Sequence, residues 1–218
     1  GYVMGIPNRK VSIYTEGALC ALMLDIHMLN KSGGQTSLRD MMTKLYREYA
    51  CKGKGLSEED YIHELIAFGG EKALGIVENH LYGTQDFRAS LEEVFALVGL
   101  QIHEQENSNV LASKLGVKGL IQKDGFHIKQ VQIDSVADQS KIAEGDIILS
   151  IDGAEINKEF LASLKSKDTI IMNLKRRFET IDVEVSLKVK SHYQNYKIVR
   201  LDSVSNQQEM LFAKWSNS

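Results

Sequence analysis

Gly145-Asp146-Ile147-Ile148-Leu149-Ser150-Ile151-Asp152-Gly153 is the stretch on which the reading of the fold turns. Ile147, Ile148, Leu149 and Ile151 form a short apolar run that ends in Asp-Gly, a pair suited to a tight reversal between strands. The run predicts a strand entering a turn. Further along the chain, Ile181, Val183, Val185, Leu187 and Val189 alternate with polar residues, which predicts a half-buried strand. Phe126 to Ile133 alternates in the same way. Between these strands, Asn157 to Leu164 reads as a short helix, with Phe160, Leu161 and Leu164 on one face.

Upstream the period changes to that of a helix. Leu38, Met41, Met42, Leu45, Tyr46 and Tyr49 recur at helical spacing, and Ser37 with Asp40 three residues on is an acidic variant of the capping box. The pattern repeats at Ser57 and Asp60, followed by Tyr61, Ile62, Leu65 and Ile66, with Gly69-Gly70 as the stop. Leu74, Val77 and Leu81 make a third stripe. Leu91, Val94, Phe95 and Val98, stopped at Gly99, make a fourth, and Gly17 to Leu29 is one apolar helix ended by Ser32-Gly33-Gly34. Residues 12–100 therefore read as five helices of a bundle. Polar residues replace the stripe from Glu104 to Asn109, which reads as a linker. The expected fold class is a multidomain α and β chain, an N-terminal α-helical bundle followed by a β-rich domain.

Composition excludes several function classes. The chain has 218 residues, 43% of them hydrophobic and 25% charged, so disorder does not describe it. Two cysteines outside any C-x-x-C pair cannot staple a chain of this length. Cys20 reads as a small core hydrophobe and Cys51, near Lys52 and Lys54, as an incidental thiol. A net charge of -3 leaves no footprint for nucleic acid, and no apolar run reaches the ~18 residues of a membrane span. His63-Glu64 and His103-Glu104 each open a His-Glu-x-x-His motif, but Ala67 and Asn107 stand where the second histidine belongs. Walker, G-x-G-x-x-G and Gly-x-Ser-x-Gly motifs are absent. The residues by themselves give no self-sufficient catalytic centre and no metal ligand set.

Two resemblances add to this. Ser12-Ile13-Tyr14-Thr15-Glu16-Gly17-Ala18-Leu19-Cys20-Ala21-Leu22-Met23-Leu24-Asp25 resembles the Tyr-x-Lys-Gly-Ala-Leu-(x)-Ala-Leu-x-Leu-Asp signature of the glycyl aminopeptidase family, zinc metallopeptidases of the His-Glu-x-x-His superclass. Ser32-Gly33-Gly34-Gln35-Thr36-Ser37-Leu38-Arg39-Asp40-Met41-Met42 resembles a second motif of that family, with Arg39 in place of an acid. The likeness covers residues 12–102. The second half resembles a PDZ domain of the bacterial protease type, through Leu115-Gly116-Val117 and the Gly145 to Gly153 stretch. Ser135 to Ile142 departs from that pattern.

The resemblance implies a helical subdomain of a truncated catalytic domain over 1–104, a linker over 105–112 and a PDZ-like domain over 113–190. The tail over 191–218 is too apolar for a disordered end and is expected to pack back onto a domain. The family's zinc ligands lie upstream of the tyrosine motif. Thirteen residues precede Tyr14 and none is His or Glu, so zinc is expected in a longer parent and no cofactor in this chain. Tyr14 takes the position of the phenol that stabilises the oxyanion in related enzymes, with Glu16 in place of lysine. A PDZ domain binds by β-augmentation. The implied peptide site is the loop Leu115, Gly116 and Val117, the strand through Lys118, Gly119 and Leu120, and the facing Phe160, Leu161 and Leu164.

The expected function is that of a C-terminal fragment of a PDZ-containing zinc aminopeptidase, inactive alone, whose PDZ part binds peptide C-termini or extended substrate segments. The alternative is a non-catalytic helical-plus-PDZ adaptor. Expected partners are peptide or protein substrates and the missing N-terminal part of the same chain, with no nucleic acid and no membrane span. The compartment is left open by the sequence; a soluble bacterial protein of the cytoplasm, the periplasm or the exterior is expected.

Overall fold

The computed structural model describes residues 13–188 and 191–217, and these divide into two units. Residues 1–12 of the expected helical domain, with Ser12 of the tyrosine motif, lie outside the described residues. So do Val189, Lys190 and Ser218.

The first unit is helical and takes in residues 13–103 and 198–217. Its helices are α1 (Ile13–Lys31), α2 (Leu38–Glu48), α3 (Glu58–Gly69), α4 (Glu71–Val77), α5 (Phe87–Leu97) and α8 (Asn206–Ser216). α1 is apolar all round because it is covered on two sides. One side packs Cys20, Met23, Ile26 and Leu29 against Val94 and Phe95 of α5 and Leu211 of α8. The other packs Leu24 and Met28 against Met41, Leu45 and Leu65. Both capping boxes form, Ser37 with Asp40 and Ser57 with Asp60, so each Ser hydroxyl satisfies an orphan N–H and each Asp reaches back to the cap. These bonds, led by those from Ser37, hold the Asp40 carboxyl below its ordinary range. α5 ends where Gly99 turns to a φ of +69, with Val204 too close for a side chain there.

The chain leaves this unit along β1 (Leu100–Gln105) and returns along β8 (Asn195–Arg200), and the two strands pair with each other. The tail thus ends as α8, packed on α1 and α5.

The second unit is a β domain over residues 104–188 and 191–197. Its strands are β2 (Val117–Gln122), β3 (Gly125–Val131), β4 (Ile147–Ile151), β5 (Ala154–Glu155), β6 (Thr169–Arg176) and β7 (Glu179–Ser186). They form an antiparallel sheet in the order β2-β3-β4-β6-β7, with β5 paired on β4. The short helices α6 (Val136–Gln139) and α7 (Lys158–Ser163) complete it. The β4–β5 reversal is the expected two-residue turn, with Asp152 at φ +50 and Gly153 at +74, both left-handed as a hairpin turn of this kind requires. Ile148, Ile151, Ile170, Met172 and Leu174 of the central strands are fully buried. The fold class is therefore a helical region followed by a β-rich domain.

Candidate functional site

β2 is one edge of the β sheet, with β3 as its neighbour, and β7 is the other edge. A helical turn at Leu111–Leu115 leads into it. Asn109 starts that turn, its Oδ1 accepting from the N–H groups of Leu111 at 3.0 Å and Ala112 at 3.3 Å. Polar residues here read as linker in the sequence, yet Gln105 closes β1 and Asn109 is a cap. Gly116 closes the turn at φ +75, and a Cβ there would lie 2.3 Å from Ser135 Cβ, so only glycine fits. Its N–H donates to Ala112 O at 3.2 Å and its carbonyl accepts from Gln132 N at 2.8 Å. Gly119 lies so close to β3 that a Cβ would be 2.1 Å from His127 O, next to an irregularity in the register at Lys118/Gly119.

The expected peptide residues divide by burial. Lys118 and Leu120 face solvent, Leu120 with 61% exposure, and Gly119 is half-buried. Leu115, Val117 and Leu164 are fully buried and Leu161 is nearly so, all in one core cluster, with Phe160 half-buried against it. The side chains of those core residues hold the domain together. At the loop and on β2, the groups within reach of a ligand are backbone groups and the exposed side chains.

Sequence reading missed one polar centre. Asp146, the acid of the Gly-Asp motif, is only 3% exposed. Arg176 at the end of β6 grips it with Nε to Oδ1 at 2.9 Å and Nη2 to Oδ2 at 2.6 Å, and the Ala143 N–H donates to Oδ2 at 2.9 Å. Arg176 Nη2 also donates to Lys141 O at 2.6 Å, so one guanidinium ties β6 to the loop before β4. Burial pushes the Asp146 carboxyl up, but Arg176 and the Ala143 N–H outweigh it and hold it below its ordinary range.

In the helical unit, Tyr14 stands in the first turn of α1 with 84% exposure. Beside it opens a cavity of about 560 Å³ lined by Ile13, Glu16, Cys20, Met42, Tyr61 and His80 among others. Burial, then the charge of Glu16, pushes the Cys20 thiol up, and burial does the same to the Tyr61 phenol. His80 is buried with Nδ1 donating to Gln85 O at 3.1 Å and Nε2 hydrogen-bonded with Ser90 Oγ at 2.9 Å, so it is a satisfied core histidine. Glu64 of the incomplete His63-Glu64 motif is also buried, holding Lys44 Nζ at 2.6 Å. Among the described residues no group of three or more His, Cys, Asp or Glu side chains converges to hold a metal ion. The described residues do not fit a zinc site. No helix among them is long and apolar enough to cross a membrane.

Comparison with known proteins bears on both units. Residues 95–185 match the PDZ domain family. No curated protein matches the sequence. Among solved structures, an aminopeptidase N family protein from Idiomarina loihiensis superposes with a TM-score of 0.74 at 20% identity, covering 94% of this chain. The chain spans 36% of the length of that protein. The HtrA3 PDZ domain bound to a phage-derived ligand matches 46% of this chain and 92% of its own at 12% identity, with a TM-score of 0.30. A PDZ domain protein from Parabacteroides distasonis covers 44% of this chain and 22% of its own at 16% identity, also at 0.30. The chain carries a PDZ domain, and over 94% of its length it has the fold of part of an aminopeptidase N family protein.

Proposed function

We propose that this chain is part of a PDZ-containing zinc peptidase, with the metal ligands supplied by sequence outside these residues. The β unit serves it by adding an extended peptide to the open edge of β2. The observation that carries the reading is the combination of a PDZ domain with a fold that follows an aminopeptidase N family protein over 94% of the chain. The exposure of Tyr14 at the start of α1 supports a role that needs the phenol free. A neutral O–H there is suited to donate to a developing oxyanion.

The test has two parts. The 218-residue chain with added zinc is assayed on aminoacyl p-nitroanilides, and no turnover is expected. The chain joined to its own encoded upstream sequence is assayed in parallel, with and without Tyr14→Phe. Zinc-dependent turnover by the longer protein, reduced roughly 10²-fold in kcat by the Phe variant, is the expected result. Turnover by the short chain alone overturns the reading. An upstream sequence lacking His-Glu-x-x-His replaces it with the non-catalytic adaptor.

A further inference from the structure

We infer that the β2 edge takes an internal extended segment of a polypeptide rather than a free C-terminus, an inference that rests on the peptide-binding reading above. Capture of a terminal carboxylate needs several backbone N–H groups left free at the mouth of the edge strand, as in other anion-binding nests. Here the approach to β2 is wound into a capped helical turn. The N–H groups of Leu111 and Ala112 are held by Asn109 Oδ1, and that of Ser113 by Asn109 O at 2.8 Å. The N–H of Gly116, the glycine of the loop itself, closes the turn on Ala112 O.

Gly116 faces β3 through the bond from Gln132, so the alternation of an antiparallel strand turns the Val117 N–H outward. Lys114 and Leu115 lie inside the helical turn, where their N–H groups point back along its axis, so the Val117 N–H is the loop donor turned toward the open edge, where a carboxylate needs several. The cations nearby are engaged as well. Lys114 Nζ lies 2.7 Å from Glu106 Oε1, and Lys118 Nζ sits 4.1 Å over the Tyr193 ring. The backbone N–H of His192 donates to Ser113 O at 2.7 Å, and burial, then the charge of Lys114, holds its imidazole below the ordinary range.

The edge beyond the loop is open. β2 runs on to Gln122 with exposed Leu120 and partly exposed Ile121 on its opposite faces, which suits a ligand strand that continues past both ends of the site. A chain that continues keeps its peptide groups in the ladder and brings no terminal charge to desolvate beside Leu115 and Val117.

The experiment uses the whole 218-residue chain. Randomised seven-residue peptides are displayed on phage either with a free C-terminus or between Gly-Ser flanks. Each selected sequence is then synthesised as the free acid, as the C-terminal amide and with a Gly-Ser-Gly extension. Amide chemical shifts at Val117 to Ile121 locate binding. The expected result is binding at these amides with Kd values of the three forms within threefold. Weakening of tenfold or more on amidation or extension overturns the inference while the peptide-binding reading stands. If neither library yields a peptide that shifts these amides, the peptide-binding reading itself fails, and the inference with it.

Discussion

Asp146→Ala removes a carboxylate that accepts three hydrogen bonds in a nearly dry position. Each hydrogen bond to a charged group contributes roughly 1.5–3 kcal/mol, and an orphaned buried N–H costs about 1–3 kcal/mol. Breaking a fully buried pair costs about 3–5 kcal/mol because the surviving charge stays desolvated. The Arg176 side chain is 37% exposed, however, and recovers water once released. The expected loss is therefore about 2–3 kcal/mol, mostly from the Ala143 N–H and the freed loop. Asp146→Asn, which keeps the volume and one acceptor, should lose about half of that. Hydrogen exchange reads the effect locally. Amides of Ile148 and Leu174, paired across β4 and β6, should exchange about 30- to 150-fold faster, at 1.4 kcal/mol per tenfold, while those of Met23 and Ile26 in α1 hold their rates. The pH dependence has a definite sign. The folded carboxyl is held below its ordinary value, so its stabilisation is complete above the unfolded value of about 3.9 and is lost as pH falls through the lower, folded one. The difference between wild type and Asp146→Ala should shrink over that interval. Exchange at Ile148 and Leu174 within threefold of wild type at pH 7, or equal acceleration in α1, refutes the reasoning.

Three further outcomes follow from other sites. Gly116→Ala adds a left-handed strain of about 1–2 kcal/mol and a clash with Ser135, so the β domain should lose about 2 kcal/mol or more in urea unfolding followed by hydrogen exchange at β3. Leu211→Ala empties a fully buried site between α8, α1 and α5 and should cost about 2–5 kcal/mol. Trp215, the single tryptophan, lies one turn further along α8 and reports that unfolding by fluorescence; an unchanged midpoint would remove α8 from the helical core. His27 donates from Nε2 to Gly69 O, and burial holds its imidazole below the ordinary range. Below about pH 6.5 the unfolded chain takes a proton that the folded one refuses, so the helical unit should weaken as pH falls, and His27→Gln should flatten that slope in thermal melts.

The two-part architecture was legible because each half repeats one period. The stripes from Leu38, Tyr61 and Leu91 and the alternation at Ile181 to Val185 each fix an element, and the serine caps fix where α2 and α3 begin; the Leu38 stripe runs wider than the buried face, since Met42 and Tyr46 are exposed while Met41 and Leu45 are buried. What sequence does not encode is which apolar face meets ligand and which meets core. Phe160, Leu161 and Leu164 have the same spacing in either role, and only the folded chain shows Leu164 fully buried. The partner of Asp146 was equally hidden. Arg176 follows it by thirty positions and reaches it because β4 pairs β6 with Ile147 opposite Lys175, a register no local pattern carries.

The approach to β2 shows a subtler limit. Asn107, Ser108 and Asn109 read as linker because asparagine and serine favour turns, but the same chemistry makes asparagine a helix cap. A cap declares itself by what its side chain accepts, and the donors are the N–H groups of the next residues only if those residues coil. Leu111-Ala112-Ser113-Lys114-Leu115 coils because it can bury Leu111 and Leu115 together in the β core and end on a glycine free to turn left-handed. That one local choice engages the amide of Gly116, which an extended loop would have left free. The loop motif is thus readable as residues, while the state of the Gly116 amide depends on its bond to Ala112 O, five residues before the strand begins.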